Sequence, residues 1–491
     1  MENKVDIISM PHNEVLDELL KQIKPVDFQA EAFPKVIKLR KQAEKCDPGS
    51  EAAMELQRRI DKCKPKKNHL LIVAVEYLIK IAKKMKWGLC RNNDMVYVYN
   101  KAYWAQIDDA KFQSFLGDAA ERMGVTKFSA RFYQFQGELL KQFFAGGYLQ
   151  RPSQDNDTVC INLLNGTYEI RNGKGELRDF NPDDFLTYQL PFAYDPNADA
   201  PIFQKYLDRV LPDVSRQQVL AEYLGYVFIK HGSKMIKAEK ALILYGTGAN
   251  GKSVFFEIVN AMLGPKNITN HPLHLLTKEE PSYYRADLAD KLLNYGSEIS
   301  ANAGNMALFK MMVSGEPISA RQPYGRALIL RQYAKFIFNC NELLRDVEQT
   351  DAFFRRCLII PFEEQIPEEE QDRTLHTKII EAELPGVLNW ALQGLARLLS
   401  QNGFTECDAA RHAINQYRKD TNSVQQFLDD EEWGRSDQPY KIKDLYSLYR
   451  DYCWNSGFRS VGKTVFMQRL QMLKIEVKQI NIGNVAYLRK K

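Results

Sequence analysis

The sequence has no apolar run long enough to cross a membrane, and residues 1–4, Met-Glu-Asn-Lys, do not begin an apolar signal segment. It has no internal repeat and no low-complexity stretch. The 491 residues are 45% hydrophobic and 26% charged, a globular balance sufficient for about two to four domains. We therefore expect a soluble protein of the cytoplasm.

Metal-ligand spacing is also missing. The eight cysteines include no C-x-x-C pair, and the seven histidines are scattered, so no zinc site is predicted. An even number of cysteines does not by itself exclude disulfides. The net charge is only +5, so any contact with nucleic acid would come from local basic patches.

The most specific pattern present is G-x-x-x-x-G-K-[ST], formed by Gly246, Thr247, Gly248, Ala249, Asn250, Gly251, Lys252 and Ser253. It lies between an apolar run at 241–245, which predicts a strand, and a helix-like stretch at 254–263. Such a loop presents amide N–H groups to phosphates, while Lys252 adds charge and Ser253 a hydroxyl for Mg²⁺. The segment predicts a site for ATP and Mg²⁺, and a reducing compartment in which the thiols are free.

Three further elements could complete an ATPase site. The apolar strand at 292–298 ends in Glu298, which we assign to water activation and to the Mg²⁺ shell. The strand at 334–338 is followed by Asn339 and Asn341, and Asn341 is the better candidate for orienting water. Arg355 and Arg356 precede the strand at 358–362, and paired arginines there suit a cation that reaches the phosphate of a neighbouring subunit.

The segment 309–326 predicts a hairpin with its tip at 323–326. It carries two cations and an aromatic ring that suit a single-stranded backbone with stacked bases: Arg321, Tyr324 and Arg326.

The two ends of the chain leave alternatives open. Residues 13–62 read as charged helix and end in a basic cluster, either a solvated helix end or an arm that contacts DNA: Arg58, Arg59, Lys62, Lys64, Lys66 and Lys67. The aromatic residues of a predicted helix at 130–144 fit a buried hydrophobic core better than a surface on which nucleic-acid bases stack. Residues 422–491 predict three helices and a hairpin, the winged-helix order, which serves DNA or protein contacts equally well.

In this order, the motifs resemble the superfamily 3 helicases, specifically the phage and plasmid primase-helicase branch that includes the poxvirus primase-helicase. Residues 162–168, 194–198 and 224–226 resemble its helicase-associated region. The resemblance implies an AAA+-like ATPase that forms a hexameric ring, translocates on single-stranded DNA, typically 3′ to 5′, and unwinds duplex at a replication fork.

Carried over by position, the resemblance makes Lys252 and Ser253 ligands of phosphate and Mg²⁺, Glu298 the Walker B acid and Asn341 sensor 1. It makes Arg355 or Arg356 the arginine finger, the residue that reaches the ATP phosphate of a neighbouring subunit. The residues of the pore-hairpin motif are Lys310, Arg321, Tyr324 and Arg326.

The expected fold class is α/β, with an AAA+-like P-loop core, a helical and α+β N-terminal region and a C-terminal winged-helix domain. The expected segments are 1–68 (charged helices), 69–200 (α+β helicase-associated domain), 201–240 (helical connector), 241–402 (ATPase), 403–421 (hinge) and 422–491 (winged-helix-like domain).

Two departures from the family pattern limit the prediction. Ser297, not a second acid, precedes Glu298, so Mg²⁺ would depend on Ser253, Glu298 and water. The first 150 residues contain no convincing D-x-D pair, since Asp108-Asp109 lies in a turn-like, solvated stretch. A separate primase or polymerase would therefore make primers.

Two alternative functions remain. The first is an initiator or loader that uses ATP as an assembly switch. The second is a DNA-binding scaffold with a degenerate loop, and the intact loop and Glu298 argue against this second alternative.

Overall fold

The structure, a computed structural model, describes residues 10–92, 95–146, 157–280, 282–297, 305–322, 327–341, 351–420, 422–458, 460–481 and 483–490. The chain divides into two compact units. The first comprises Met1–Asp155, Cys160–Glu169 and Gly175–Tyr194, and the second comprises Asn156–Val159, Ile170–Lys174 and Asp195–Lys491. The six-segment division made from the sequence stays a prediction.

The N-terminal part of the chain is mainly helical. Its helices are α1 (His12–Gln22), α2 (Phe28–Ala32), α3 (Lys35–Ala43), α4 (Glu51–Asp61), α5 (Lys67–Lys84), α6 (Asp109–Met123), α7 (Lys127–Arg131) and α8 (Tyr133–Gly146). Two three-stranded sheets follow the orders β1 (Gly88–Asn92), β2 (Met95–Tyr99), β3 (Trp104–Ile107) and β4 (Thr158–Leu163), β5 (Gly166–Arg171), β6 (Lys174–Arg178). The strand predicted at 95–99 is confirmed, whereas β1 and β3 were not predicted.

The core of the first unit forms where α5, α6 and α8 bury apolar side chains such as Leu78, Phe112 and Leu139. Helix α6 begins at Asp108, whose carboxylate accepts a hydrogen bond from the Lys111 N–H at 3.0 Å. Asp108 is therefore a helix cap, which explains its place in a turn-like stretch.

The helix predicted at 130–144 is two helices, because Phe132 has extended backbone (φ −70°, ψ 125°) between α7 and α8. The core interpretation of its aromatics is correct for Phe135 and Phe143, which are buried. It is wrong for Phe132 and Tyr133, which are exposed.

The second unit contains the helices α9 (Pro201–Val210), α10 (Val214–Tyr226), α11 (Lys252–Leu263), α12 (Leu273–Leu276), α13 (Tyr283–Ala286), α14 (Met306–Val313), α15 (Asp351–Phe354), α16 (Leu375–Ser400) and α17 (Asp408–Asp420). Its strands in this region are β7 (Ala241–Tyr245), β8 (Ile268–Thr269), β9 (Leu293–Gly296), β10 (Ile318–Arg321), β11 (Ala327–Leu330), β12 (Lys335–Cys340) and β13 (Cys357–Pro361).

Five of these strands form a parallel sheet in the order β13–β7–β12–β9–β8. The alternation of strands and helices predicted from the sequence is thus confirmed as a parallel sheet. Strand β12 lies between β7 and β9, with Phe338 opposite both Ile243 and Gly296. Since the strands are parallel, the residues that follow β7, β9 and β12 lie at one edge of the sheet.

The predicted hairpin is present as the antiparallel pair β10–β11, in which Arg321 lies opposite Ala327. Its tip at 323–326, which includes Tyr324 and Arg326, lies outside the described residues. The Tyr333 hydroxyl donates to the carbonyls of Met312 (3.1 Å) and Glu316 (2.8 Å), which fixes the base of the hairpin to the end of α14.

Helices α10 and α16 pack at backbone contact. A Cβ at Gly394 would lie 2.2 Å from the carbonyl carbon of Ala221, so only glycine permits this approach. The segment predicted as a hinge, 403–421, contains α17, whose Tyr417 is 2% exposed and packs on Phe354 at 5.5 Å between ring centroids.

The C-terminal segment has the predicted order of three helices and a hairpin: α18 (Ser423–Asp430), α19 (Ile442–Asn455), α20 (Lys463–Met472), β15 (Val477–Ile480) and β16 (Gly483–Lys490). A strand that was not predicted, β14 (Trp433–Lys441), pairs with β16. The winged-helix assignment stays a prediction.

All eight cysteines are free thiols, as the sequence led us to expect. Among the helices that the structure describes, none is long and apolar enough to cross a membrane.

Candidate functional site

The site is built around the glycine-rich loop that joins β7 to α11. The loop passes through left-handed backbone at Gly248 (φ +116°), Ala249 (φ +48°) and Gly251 (φ +87°). Within the described part of the chain, the backbone N–H groups of residues 247–251 donate to no acceptor. A row of unpaired amide donors next to a helix N-terminus is an arrangement that binds anions.

Gly246 begins the loop at a point of close packing. Its N–H donates to the Cys340 carbonyl at 3.1 Å, which joins the loop to the end of β12. A Cβ at this position would lie 2.4 Å from the Phe362 carbonyl oxygen and 2.2 Å from Asn250 Nδ2. The glycine is therefore required by space, although its φ is not in the left-handed region.

Lys252 is the first residue of α11 and is 6% exposed. Its ammonium donates to the Gly246 carbonyl (2.6 Å) and to Asn250 Oδ1 (2.9 Å), so the charge is held against the loop. Burial lowers the pKa of Lys252 from its usual value. No carboxylate is among these partners, so an anion at the loop would compensate the buried charge.

The loop is supported by residues outside the motif. Asn250 is 3% exposed and donates from Nδ2 to the Phe362 carbonyl at 3.1 Å, while the Ile366 N–H donates to the Ala249 carbonyl at 2.8 Å. The Tyr206 hydroxyl of α9 donates to the Gly251 carbonyl at 2.8 Å. Sequence reasoning missed Tyr206, because it lies in an amphipathic helix 40 residues before the loop and has no motif of its own.

The predicted metal ligands are only partly within the described residues. Ser253 is exposed on the first turn of α11. Glu298 lies outside the described residues, and the chain is described up to Ser297, directly after β9. Among the described residues no group of three or more His, Cys, Asp or Glu side chains could hold a metal ion.

The two asparagines at the end of β12 differ in environment. Asn339 is 8% exposed, and its Oδ1 accepts a hydrogen bond from the Tyr295 hydroxyl at 3.0 Å. Asn341 is exposed directly after Cys340, whose carbonyl accepts the Gly246 N–H. Asn341 is therefore exposed next to the residue that binds the loop, whereas the side chain of Asn339 is buried against Tyr295.

The two adjacent arginines also differ. Arg356 is 9% exposed and donates from Nε to Ser314 Oγ and from Nη1 to the Ala352 carbonyl, both at 2.8 Å. Arg355 is exposed. Arg356 thus fastens the end of α14 to the start of β13, while the guanidinium of Arg355 faces solvent.

The hairpin residues occupy separate elements. Lys310 is half-buried on α14 and Arg321 is exposed at the end of β10. Arg285, 2% exposed, donates to the Ser319 carbonyl of β10 and the Leu276 carbonyl of α12. It was not predicted, since a single arginine between two short helices carries no recognisable pattern.

Two family models match parts of the chain. Residues 75–212 match the model described as "D5 N terminal like". Residues 244–356, which contain the glycine-rich loop, match the model described as "Family of unknown function (DUF5906)".

A protein of Acanthamoeba polyphaga mimivirus named "Putative helicase" is 27% identical over 222 residues. The match covers 42% of this chain and 22% of the mimivirus protein, so the chain corresponds to about a fifth of that relative's length.

Solved structures of the apo C-terminal region of NrS-1 resemble the chain distantly. One has a TM-score of 0.45 at 11% identity and covers 84% of this chain and 99% of the other. Another has a TM-score of 0.42 at 12% identity and covers 85% and 99%.

Proposed function

We propose that this chain is an ATP-dependent DNA helicase of a virus, phage or mobile element, with an AAA+-like superfamily 3 core. The observation that carries the proposal is the glycine-rich loop between β7 and α11, with its unpaired amides and the buried ammonium of Lys252. The name of the mimivirus relative supports the helicase class, and the D5-like match supports a replication protein of the primase-helicase kind.

The loop fits the phosphates of ATP. Amides 247–251 would contact phosphate oxygens, Lys252 would exchange its bond to Gly246 for one to phosphate, and Ser253 with Glu298 would hold Mg²⁺. Bound ATP with Mg²⁺ supplies the phosphoanhydride that is cleaved. Asn250, because it bonds both Lys252 and Phe362, would keep the lysine in position while the ligand changes.

Hydrolysis needs a positioned water and a cation for the developing charge. Glu298 would activate the water and Asn341 would orient it beside the loop. Of the two arginines, we assign the trans-acting role to Arg355, because Arg356 is committed to Ser314 and Ala352 within its own subunit. The site would then be complete only at a subunit interface, as in the proposed ring.

The β10–β11 hairpin would contact single-stranded DNA in the centre of this ring. Arg321, Tyr324 and Arg326 would supply cations and a stacking ring near the tip, and Lys310 would support them from α14. In this proposal the C-terminal segment is winged-helix-like, the protein works in the cytoplasm of the host cell, and a separate primase or polymerase acts with it.

ATP hydrolysis with and without single-stranded DNA tests the proposal, with Lys252→Ala as the inactive control. We expect strong stimulation by DNA that Lys252→Ala abolishes. Since Lys252 is buried in the fold, the exposed Ser253→Ala serves as a second variant, and the unfolding midpoint of each must match the parent. Hydrolysis that ignores DNA, or no hydrolysis, would contradict the helicase proposal.

A second candidate is an initiator or loader that uses ATP for assembly without processive unwinding. The exposed Arg321 separates the two, because it carries the proposed DNA contact and is absent from the nucleotide loop. In a helicase, Arg321→Ala abolishes unwinding while ring assembly with ATP persists. Unwinding that survives Arg321→Ala would refute the role of the hairpin in contacting DNA. A parent protein that assembles with ATP but does not unwind duplex would favour the loader.

A further inference from the structure

Segment 126–134 of the first unit presents three aromatic rings to solvent. Phe128 is 90% exposed, Tyr133 71% and Phe132 47%. The same helices bury Phe135 and Phe143 in a well-formed core. Large rings are ordinarily buried, and a cluster of exposed ones marks a binding surface.

We call these rings the ring cluster (Phe128, Phe132 and Tyr133), and two of the three are in contact with each other. Ala130 is fully buried and anchors α7. The rings of Phe132 and Tyr133 meet edge to face, with centroids 5.0 Å apart. Gln134 Nε2 donates to the Tyr133 hydroxyl at 3.1 Å. The three rings therefore lie on α7 and at the junction of α7 with α8.

A second feature of this unit is the basic cluster, residues 58–67, at the end of α4 and the turn before α5. It has six cations and one acid, Asp61, a net charge of +5 that equals the net charge of the whole chain. All six cations are exposed: Arg58, Arg59, Lys62, Lys64, Lys66 and Lys67.

Helix α8 connects the two clusters. Lys67 Nζ, at the end of the basic cluster, lies 2.7 Å from Glu138 Oε1. Glu138 is five residues after Tyr133, about 7.5 Å further along α8. The basic cluster therefore reaches α8 about one and a half turns from the ring cluster.

The charges around the rings are mixed. Lys127 and Arg131 are exposed on α7, and Arg131 Nε pairs with Glu121 Oε2 at 2.8 Å, with Asp118 nearby on α6. An exposed pair of this kind is weak, so Arg131 can exchange Glu121 for a phosphate. Most of the attraction for an anionic polymer would come from the basic cluster.

We propose that the basic cluster and the ring cluster form a single-stranded DNA-binding surface on the first unit, additional to the β10–β11 hairpin. The cations would neutralise phosphates while bases stack on the rings. The exposed apolar side chains of segment 126–134 are rings, without exposed aliphatic groups, which suits flat bases better than a partner helix. The choice of DNA rests on the proposed function.

Fluorescence anisotropy with the full chain, without ATP, tests the surface on an oligothymidylate of about 16 nucleotides and on a duplex of equal length. Phe128→Leu and Tyr133→Leu keep apolar area and remove the flat face. We expect each to weaken single-strand binding about tenfold. Tyr133→Phe should bind like the parent, and the exposed Leu177→Ala on β6 is the control outside the surface.

The contribution of the basic cluster is tested with the variants Arg58→Ala, Arg59→Ala and Lys62→Ala. Each lost phosphate contact should reduce the slope of log affinity against log salt by about 0.7. All measurements are repeated in the Arg321→Ala background, which lowers the contribution of the hairpin.

The surface and the helicase proposal fail differently. Leucine variants that bind single strands as tightly as the parent, or equal binding to duplex, would overturn the surface while DNA-stimulated hydrolysis could still stand. In the expected case the leucine variants need more DNA for stimulation but reach the parental rate at saturation. Absent stimulation in the parent would overturn the proposed function whatever the ring variants bind.

Discussion

The adjacent arginines before β13 offer a test in which neighbouring residues have opposite effects. Arg356 is nearly buried and makes two hydrogen bonds at 2.8 Å, to Ser314 Oγ and to the Ala352 carbonyl. Arg355 is exposed. Truncating Arg356 removes a structural connection, whereas truncating Arg355 removes only a solvent-facing cation.

The magnitudes follow from these environments. A hydrogen bond to a charged group contributes about 1.5–3 kcal/mol, and the desolvation cost of the guanidinium offsets part of the sum. We expect Arg356→Ala to lower the free energy of unfolding by about 2–4 kcal/mol. Arg355→Ala should change it by less than about 0.5 kcal/mol. If Arg355 is the trans-acting cation, its removal should lower kcat for ATP about 10³-fold.

Urea unfolding followed by circular dichroism, compared through the midpoint of the transition, measures the first effect. Steady-state hydrolysis at saturating ATP and DNA measures the second. Arg355→Lys is the matched variant, since it keeps the charge and loses the planar fork of donors. An Arg356→Ala protein with the parental midpoint would refute the structural role. Parental hydrolysis by Arg355→Ala would refute the assignment of the finger.

Three other predictions follow from two buried charged residues and one closely packed glycine. Lys335 is buried beside His231 Nδ1 (3.1 Å), and burial lowers its pKa to about 7 from 10.5. Between pH 7 and pH 10.5 the unfolded chain holds this proton and the folded chain does not, so the free energy of unfolding should rise by up to about 1.4 kcal/mol per pH unit. Lys335→Met should flatten this slope when unfolding is measured as a function of pH. Gly246→Ala should abolish ATP binding in a fluorescent-nucleotide assay, because its Cβ would meet the Phe362 carbonyl at 2.4 Å. At Gly248 a Cβ meets no atom within 4 Å, so a loss of binding in Gly248→Ala would report its left-handed backbone (φ +116°) and not a clash. Glu222→Ala should cost about 3–5 kcal/mol in chemical unfolding, since the fully buried carboxylate accepts from Arg397 Nε at 2.7 Å.

Local periodicity was sufficient to predict the strands that position the loop. The runs at 241–245 and 334–338 are continuous apolar stretches, and both became buried strands of the parallel sheet. The hairpin β10–β11 and the helices of the C-terminal segment were likewise readable from patterns within about 15 residues. Such patterns record which face of an element is buried.

The strands that were missed lack that signal. Strand β14 contains Arg-Ser-Asp-Gln-Pro, a composition typical of turns, and pairs with β16 only through a register shift between Arg435 and Pro439. The break between α7 and α8 is one residue, Phe132, in a sequence with no glycine or proline there. For β14, pairing with a strand distant in sequence overrides local propensity, whereas nothing in the structure explains the break at Phe132.

The sequence predicted the glycine-rich motif of the site, but not the contacts that hold the motif in place. The contacts of Tyr206 to Gly251, of Asn250 to Phe362 and of Arg356 to Ser314 join residues 42 to 112 positions apart. No local pattern encodes such pairs, because each depends on the order of strands in the sheet. The distinction between Arg355 and Arg356 has the same origin, since two identical side chains differ only in what packs around them.

These supports limit how nucleotide could act on the hairpin. The hairpin base is fixed by Tyr333 to the end of α14, and α14 is fixed by Arg356 to β13. Strand β12 runs from the hairpin to Cys340, which accepts the Gly246 N–H of the loop. Since loop, sheet and hairpin base are joined through buried contacts, the hairpin is poorly placed to bend against the sheet. In the proposed ring, a rotation of whole subunits about their interface is the movement that leaves these contacts intact.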